Sequence, residues 1–328
     1  MTRLPFLVLG FVSLAFGIAG GLARLGSIEA PAMAVAFHGP LMVSAFFGTV
    51  IALERAAALE RPWAYAAPLL AGLGGIALLF GIVLAGFALL ALASLAFLAA
   101  SVAVLRRQPS LETATLLGGA AAWLAGNVML LEGQPAVPWW MAFFALTIGA
   151  ERLELSRYLK RPPAARFAFA ALAAGLLVSP LHPPALGVVL VLLALWMGAF
   201  DLARVTVRQS GLPRYVAACL LAGYFWLAVA GALVAGSFAY DAAMHAFFVG
   251  FVFSMVFGHA PVILPAVLRV RFPYSPLLYV PLVLLHASLA VRVAISIPFG
   301  AWGNAAAIAL FVATSALICI KGPARAPR

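Results

Sequence analysis

The residues best suited to chemistry in this chain are its five histidines, and their surroundings sort them. His182 stands in Pro180-Leu181-His182-Pro183-Pro184, a loop in which a solvated imidazole needs no role. His38, His245, His259 and His286 fall inside long apolar runs, where an ionisable group is costly and is a functional candidate by default. A neutral imidazole binds transition metals, and a haem iron accepts one on each axial side. His38 and His245 each stand about five residues into runs that cross in the same direction, so their depths agree within about one helical turn, 5.4 Å. Gly39, Ser44, Ala45, Gly48, Ala246 and Gly250 leave room nearby for a flat macrocycle, and Phe46, Phe47, Phe247, Phe248 and Phe251 offer apolar walls. The pair therefore predicts axial ligation of one haem iron. The competing reading is that each imidazole simply hydrogen-bonds a neighbouring helix.

His259 follows His245 on the same run. An ideal α-helix puts it about 21 Å deeper and only about 40° around. His286, on the next run, lies near mid-depth. These two predict a second, deeper polar site, either a second metal or cofactor or a helix-bridging hydrogen bond. Met42, four residues after His38, and Met255, four before His259, are soft enough for copper or haem iron, although Met is also ordinary core filler.

Positioning these groups requires helices in a membrane. Of the 328 residues 66% are hydrophobic and 9% charged, and the mean hydropathy is +1.14. A soluble domain carries roughly 25% charged residues. The expected fold is all-α and polytopic, with twelve spans at 4–23, 33–53, 63–82, 84–104, 113–131, 136–151, 165–180, 184–203, 214–236, 240–268, 275–294 and 299–320; strands are excluded because an open edge cannot be left in hydrocarbon. The first run, preceded by Arg3 and followed by Ala30-Pro31-Ala32, is read as a retained span rather than a leader. Twelve spans give two classes of loop. All but Arg24 and Arg292 of the 20 Lys and Arg fall in the class that includes both termini, which places the termini in the cytoplasm of a bacterial inner membrane. This scatter of basic clusters explains the +11 charge without nucleic acid. Cys219 and Cys319 are isolated and predict no disulfide framework.

Ala45-Phe46-Phe47, Ile51 and Glu54-Arg55 recur at one constant offset as Ala142-Phe143-Phe144, Ile148 and Glu151-Arg152, and Ala246-Phe247-Phe248 follows four spans later. The chain 1–328 is thus expected to be a single transmembrane domain of three four-helix units, about 1–105, 106–203 and 204–328, in a pseudo-threefold arrangement. The two Glu-Arg pairs read as helix-end ion pairs with snorkelling arginines in preference to a proton or substrate site. No phosphate loop, dinucleotide fingerprint, nucleophile elbow or Cys-x-x-Cys-His attachment occurs, so a haem here is expected to be b-type. Asn127 is a lone polar group in the fifth span.

Phe37-His38-Gly39-Pro40-Leu41-Met42 with Val50-Ile51-Ala52 resembles the His-x-His-x-Met stretch of NnrS proteins, with Pro40 in place of the second histidine. His245-Ala246, Val249-Gly250, Met255 and Gly258-His259 resemble a later NnrS stretch, with a shorter spacing between its histidines. The matches cover about fifty residues. This resemblance implies a twelve-helix membrane protein binding haem and copper in nitric oxide metabolism. A more distant similarity to the catalytic subunit of haem-copper oxidases and nitric oxide reductases implies that His38 and His245 hold a low-spin haem. The chain lacks that family's paired histidines after the sixth helix and its close histidine pair in the tenth, so oxygen reduction by that route is not expected. The expectation is a haem b protein, with copper as a second metal, that exchanges electrons with a quinol or cytochrome c donor and acts on nitric oxide or in respiratory electron transfer. Its proposed metal ligands are His38, His245, His259 and His286. A histidine-dependent secondary transporter and a non-catalytic subunit of a respiratory complex are the alternatives.

Overall fold

The computed structural model describes residues 3–159, 161–237 and 239–321, and among these it contains helices and no strand. Twelve long helices follow one another: α1 (Leu4–Ala23), α2 (His38–Leu59), α3 (Ala66–Leu79), α4 (Val83–Arg107), α5 (Leu111–Leu131), α6 (Val137–Leu155), α7 (Pro163–Val178), α8 (Pro183–Phe200), α9 (Leu212–Ala235), α10 (Tyr240–Leu268), α11 (Tyr279–Ala294) and α12 (Ile297–Lys321). Lys160, Arg325 and Arg328 of the basic-rich class lie outside the described residues.

Local chemistry sets the boundaries. Pro in the first turn starts α1, α6 and α9, where a missing N–H costs nothing. Ser110 and Thr113 close a reciprocal capping box on α5. Gly81 (φ 77°) and Gly133 (φ 70°) end α3 and α5 in the left-handed region, and the next residues turn back: Ile82 N–H reaches Ala77 O at 2.9 Å and Gln134 N–H reaches Met129 O at 2.7 Å.

Among the described residues, eleven helices are long and apolar enough to cross a membrane. Twelve spans are expected from the sequence, and α6 is the one that falls short, because Glu151, Arg152 and Glu154 interrupt it after a short apolar stretch. Every residue from Trp140 to Ala150 is buried, so this helix is walled by protein and needs little lipid-compatible surface of its own. Elsewhere Phe80, Leu84, Phe167, Ile295, Phe299 and Ile320 are all largely exposed, a surface that is costly in water and not in hydrocarbon.

The chain forms two compact units, residues 1–157 with 166–186, and residues 158–165 with 187–328. In the first unit, the repeat-related phenylalanine pairs of α2 and α6 meet: the Phe47 and Phe144 rings stand 5.2 Å apart, edge to face. Trp123 stacks on Phe143 at 5.4 Å, and Phe97 meets the Trp123 face edge-on. In the second unit Phe257 of α10 stacks on Phe311 of α12 at 3.9 Å.

Two helices are irregular. α2 carries a π-helical stretch over Leu41–Phe47 and α10 one over Ala246–Phe253. Such wide turns are rare and are frequent at functional sites. The stretch in α10 lies between His245 and His259, so the 40° offset calculated for an ideal α-helix does not hold.

Candidate cofactor-binding site

In the first unit, α1 ends in a run of small residues, and Gly17, Gly20 and Gly21 form a groove along it. A side chain at Gly20 would strike the Ala34 carbonyl, so the short helix Ala32–Ala36 lies directly on α1. A Cβ at Gly21 would stand 2.8 Å from His38 Cε1, and one at Gly17 would stand 2.6 Å from the Met42 sulfur. His38 and Met42 thus both line α1, as their four-residue spacing implies. Pro40 has no N–H to offer the carbonyl four residues back. Arg24 supplies donors instead, Nη2 to Ala36 O at 2.8 Å and Nε to Val35 O at 2.7 Å, and fixes the chain entering His38.

His38 then makes the bond that sets its chemistry. Its Nδ1 lies 2.6 Å from Gly17 O. A carbonyl only accepts, so Nδ1 carries the proton, and in the neutral ring Nε2 carries the lone pair. This is the tautomer of a metal-ligating histidine, whose other nitrogen almost always donates to a carbonyl or carboxylate.

His245, in the second unit, repeats the arrangement. Its Nδ1 donates to Asp241 O, one helical turn earlier, at 2.8 Å, and the Asp241 Oδ1 stands 3.3 Å from the same nitrogen. Arg292 of α11 holds that carboxylate at both oxygens, Nε at 3.0 Å and Nη2 at 2.8 Å. His259 donates Nδ1 to Met255 O at 2.7 Å, again one turn back. Three of the four histidines in the apolar helices therefore carry the ring proton on Nδ1, and in the neutral ring the lone pair on Nε2. Each π-helical stretch begins within a few residues after His38 or immediately after His245.

His286 differs. Trp226 Nε1–H donates to its Nδ1 at 3.0 Å, which leaves the ring proton on Nε2, 3.2 Å from Ser254 Oγ. Ser254 in turn donates to Cys219 O at 2.7 Å. Both nitrogens of His286 are engaged, joining α9, α10 and α11. Of the two forms expected for the deeper site, His286 takes the helix-bridging hydrogen bond. Among the described residues, no group of three or more His, Cys, Asp or Glu comes together to hold a metal ion. A haem iron asks the protein for only two ligands, and the donor chemistry of His38 and of His245 fits it.

Asn127 is not alone. Its side-chain oxygen accepts from Ser44 Oγ and from Trp140 Nε1 (3.1 Å), its amide donates to Leu90 O at 3.0 Å, and Trp123 Nε1 donates to Ser44 Oγ at 2.8 Å. This fully buried network ties the π-helical stretch of α2 to α4, α5 and α6. The two Glu-Arg pairs also come together: Glu151 has Glu54, Arg55, Arg152 and Glu154 as electrostatic neighbours. The π-helical turns and the Asp241–Arg292 pair are not among the residues singled out from sequence. Their one sequence signal is that Arg24 and Arg292 are the two arginines outside the basic-rich loops; Arg24 binds the chain leading into His38 and Arg292 binds Asp241 beside His245.

The fold and site define a class: an all-α chain of apolar helices, most of them long enough to cross a membrane, with histidines set beside π-helical turns. The chain belongs to the family described as a domain of unknown function (DUF8744), whose model matches residues 3–320. Neither a curated protein nor a solved structure matches it.

Proposed function

We propose that this chain is a b-type haem protein of the bacterial inner membrane, with His38 and His245 each supplying an axial imidazole, that serves electron transfer in nitric oxide or respiratory metabolism. The observation that carries this reading is the shared tautomer: each Nδ1–H is spent on a backbone carbonyl, which leaves Nε2 as the donor atom. The iron would supply one-electron redox chemistry with no open coordination position. The protein's part is to orient both rings, exclude water and set the strength of each donor. A quinol or cytochrome c is the partner such an electron carrier requires. The NnrS resemblance supports the nitric oxide setting, and Met42 beside His38 supports copper as a further metal. The basic-rich loops and both termini face the cytoplasm in this reading, and α6 crosses inside the protein rather than against lipid.

The test uses purified protein in detergent. His38→Ala and His245→Ala should each convert a low-spin spectrum to high-spin or strip the haem. If both variants keep an unaltered low-spin spectrum at full haem content, these residues are not the ligands.

A further inference from the structure

Resting on the haem reading, we infer that Asp241 and Arg292 are a paired positioning and tuning group for His245, the carboxylate strengthening the imidazole as an iron donor and the guanidinium limiting that effect. The inference starts from an anomaly of charge. Arg292 is one of two basic residues outside the basic-rich loops, and its side chain is only 9% exposed. Desolvating a guanidinium at such a place is expensive, and a bidentate carboxylate is what offsets it.

An ion pair for stability alone has no need of the imidazole. Here the same Asp241 presents two acceptors to His245 Nδ1, its backbone oxygen at 2.8 Å and its carboxylate oxygen at 3.3 Å. The array is Arg292, Asp241, His245 Nδ1–H, and then Nε2 towards the ligand position. Its geometry is locked from behind: a Cβ at Gly300 would collide with the backbone of Arg292, so α12 seats directly on α11 at this residue. A carboxylate facing the far nitrogen of a metal-bound imidazole draws on its proton, raises its donor strength and favours the higher oxidation state. Arg292, bound to both carboxylate oxygens, draws electron density the other way.

The two residues therefore act on the iron with opposite signs, and the double variant separates action through the imidazole from the bare field of the two charges. Asp241→Asn removes the charge and keeps the shape. The ferric form loses stabilisation and the midpoint potential rises. Arg292→Gln leaves the carboxylate uncompensated, and the midpoint falls. A tenfold change in the ratio of ferric to ferrous binding corresponds to about 59 mV for one electron, and changes of about that size are expected from outer-shell partners. Because Arg292 acts through Asp241, the double variant Asp241→Asn/Arg292→Gln should return to the value of Asp241→Asn. It also removes both charges together, so it still reports where Arg292→Gln alone fails to fold.

The experiment is a potentiometric titration of the haem α-band in the purified wild-type holoprotein and the three variants, with His245→Ala spectra alongside. Shifts of opposite sign, with the double variant matching Asp241→Asn, support the inference. Shifts of the same sign, or no shift where His245→Ala does change the spectrum, overturn it and leave the haem reading standing. A wild type without haem, or a spectrum indifferent to His245→Ala, removes the haem reading and this inference together.

Discussion

Gly21→Ala isolates the seat of His38 with the smallest available perturbation. An alanine Cβ at this position stands 2.8 Å from His38 Cε1 and 3.0 Å from Nδ1, and the ring must shift by several tenths of an ångström. The shift pulls Nδ1 away from Gly17 O, now 2.6 Å distant. In its favour the substitution gains about 1 kcal/mol of helix propensity. Against it stand about 1–3 kcal/mol of overpacking and about 1 kcal/mol for a weakened hydrogen bond. The balance is a loss of about 1–3 kcal/mol, read as a lowered unfolding midpoint in detergent. The haem band of the proposed holoprotein should also broaden or lose intensity. Gly39→Ala is the matched control: it lies one residue from His38 in sequence, yet nothing stands within 4 Å of its added carbon, so it should be neutral or slightly stabilising. Equal behaviour of Gly21→Ala and wild type in both readouts, or a Gly39→Ala variant worse than Gly21→Ala, would refute the claim that the α1 groove positions the imidazole.

Three further outcomes follow from the same contacts. Asn127→Leu takes the acceptor from the Trp140 N–H and the Ser44 hydroxyl in a dry interior and should cost about 1–3 kcal/mol by denaturant unfolding; a loss below a few tenths would show the network to be incidental. Glu112→Gln removes the charge from the pair with Arg166, whose side chain is 54% exposed, so screening limits the change to about 0–1 kcal/mol, and a larger drop would show that solvent does not screen the pair. Reporter fusions after Arg61, Arg107, Arg161, Arg208 and Arg271 should fall on one side of the membrane, and fusions near Glu29, Glu132, His182 and Asp241 on the other. If α6 does not cross, the sites from Arg161 onward invert relative to the earlier ones.

Helix positions were legible in the sequence because hydrocarbon leaves the backbone one choice and Gly, Pro and charge mark its ends. The expected run 4–23 and the observed Leu4–Ala23 coincide, as do 240–268 and Tyr240–Leu268. α6 is less legible as a span, because hydropathy assumes a lipid-facing helix and its central residues are buried in protein. His38 and His245 are legible as candidates by type and depth, and Met42 by type and its four-residue spacing from His38. Their hydrogen-bond partners were hidden, since Gly17 O and Asp241 O are backbone atoms that no residue type announces. The π-helical turns were invisible for a related reason: they are set by how α2 and α10 pack, and Ala-Phe-Phe occurs in α6 without one. The role of His286 turned on Trp226, sixty residues away, which only the tertiary structure brings to its ring.

The central claim, that the chain holds haem b between neutral imidazoles, is tested most directly by the reduced-minus-oxidised absorption spectrum of the purified wild-type protein, with iron and extractable haem quantified in the same sample. The account predicts a Soret band, a sharp low-spin α-band on reduction and a haem that leaves the protein in acidified solvent without covalent attachment. A protein purified from haem-replete cells that shows no Soret band and carries no iron would contradict it.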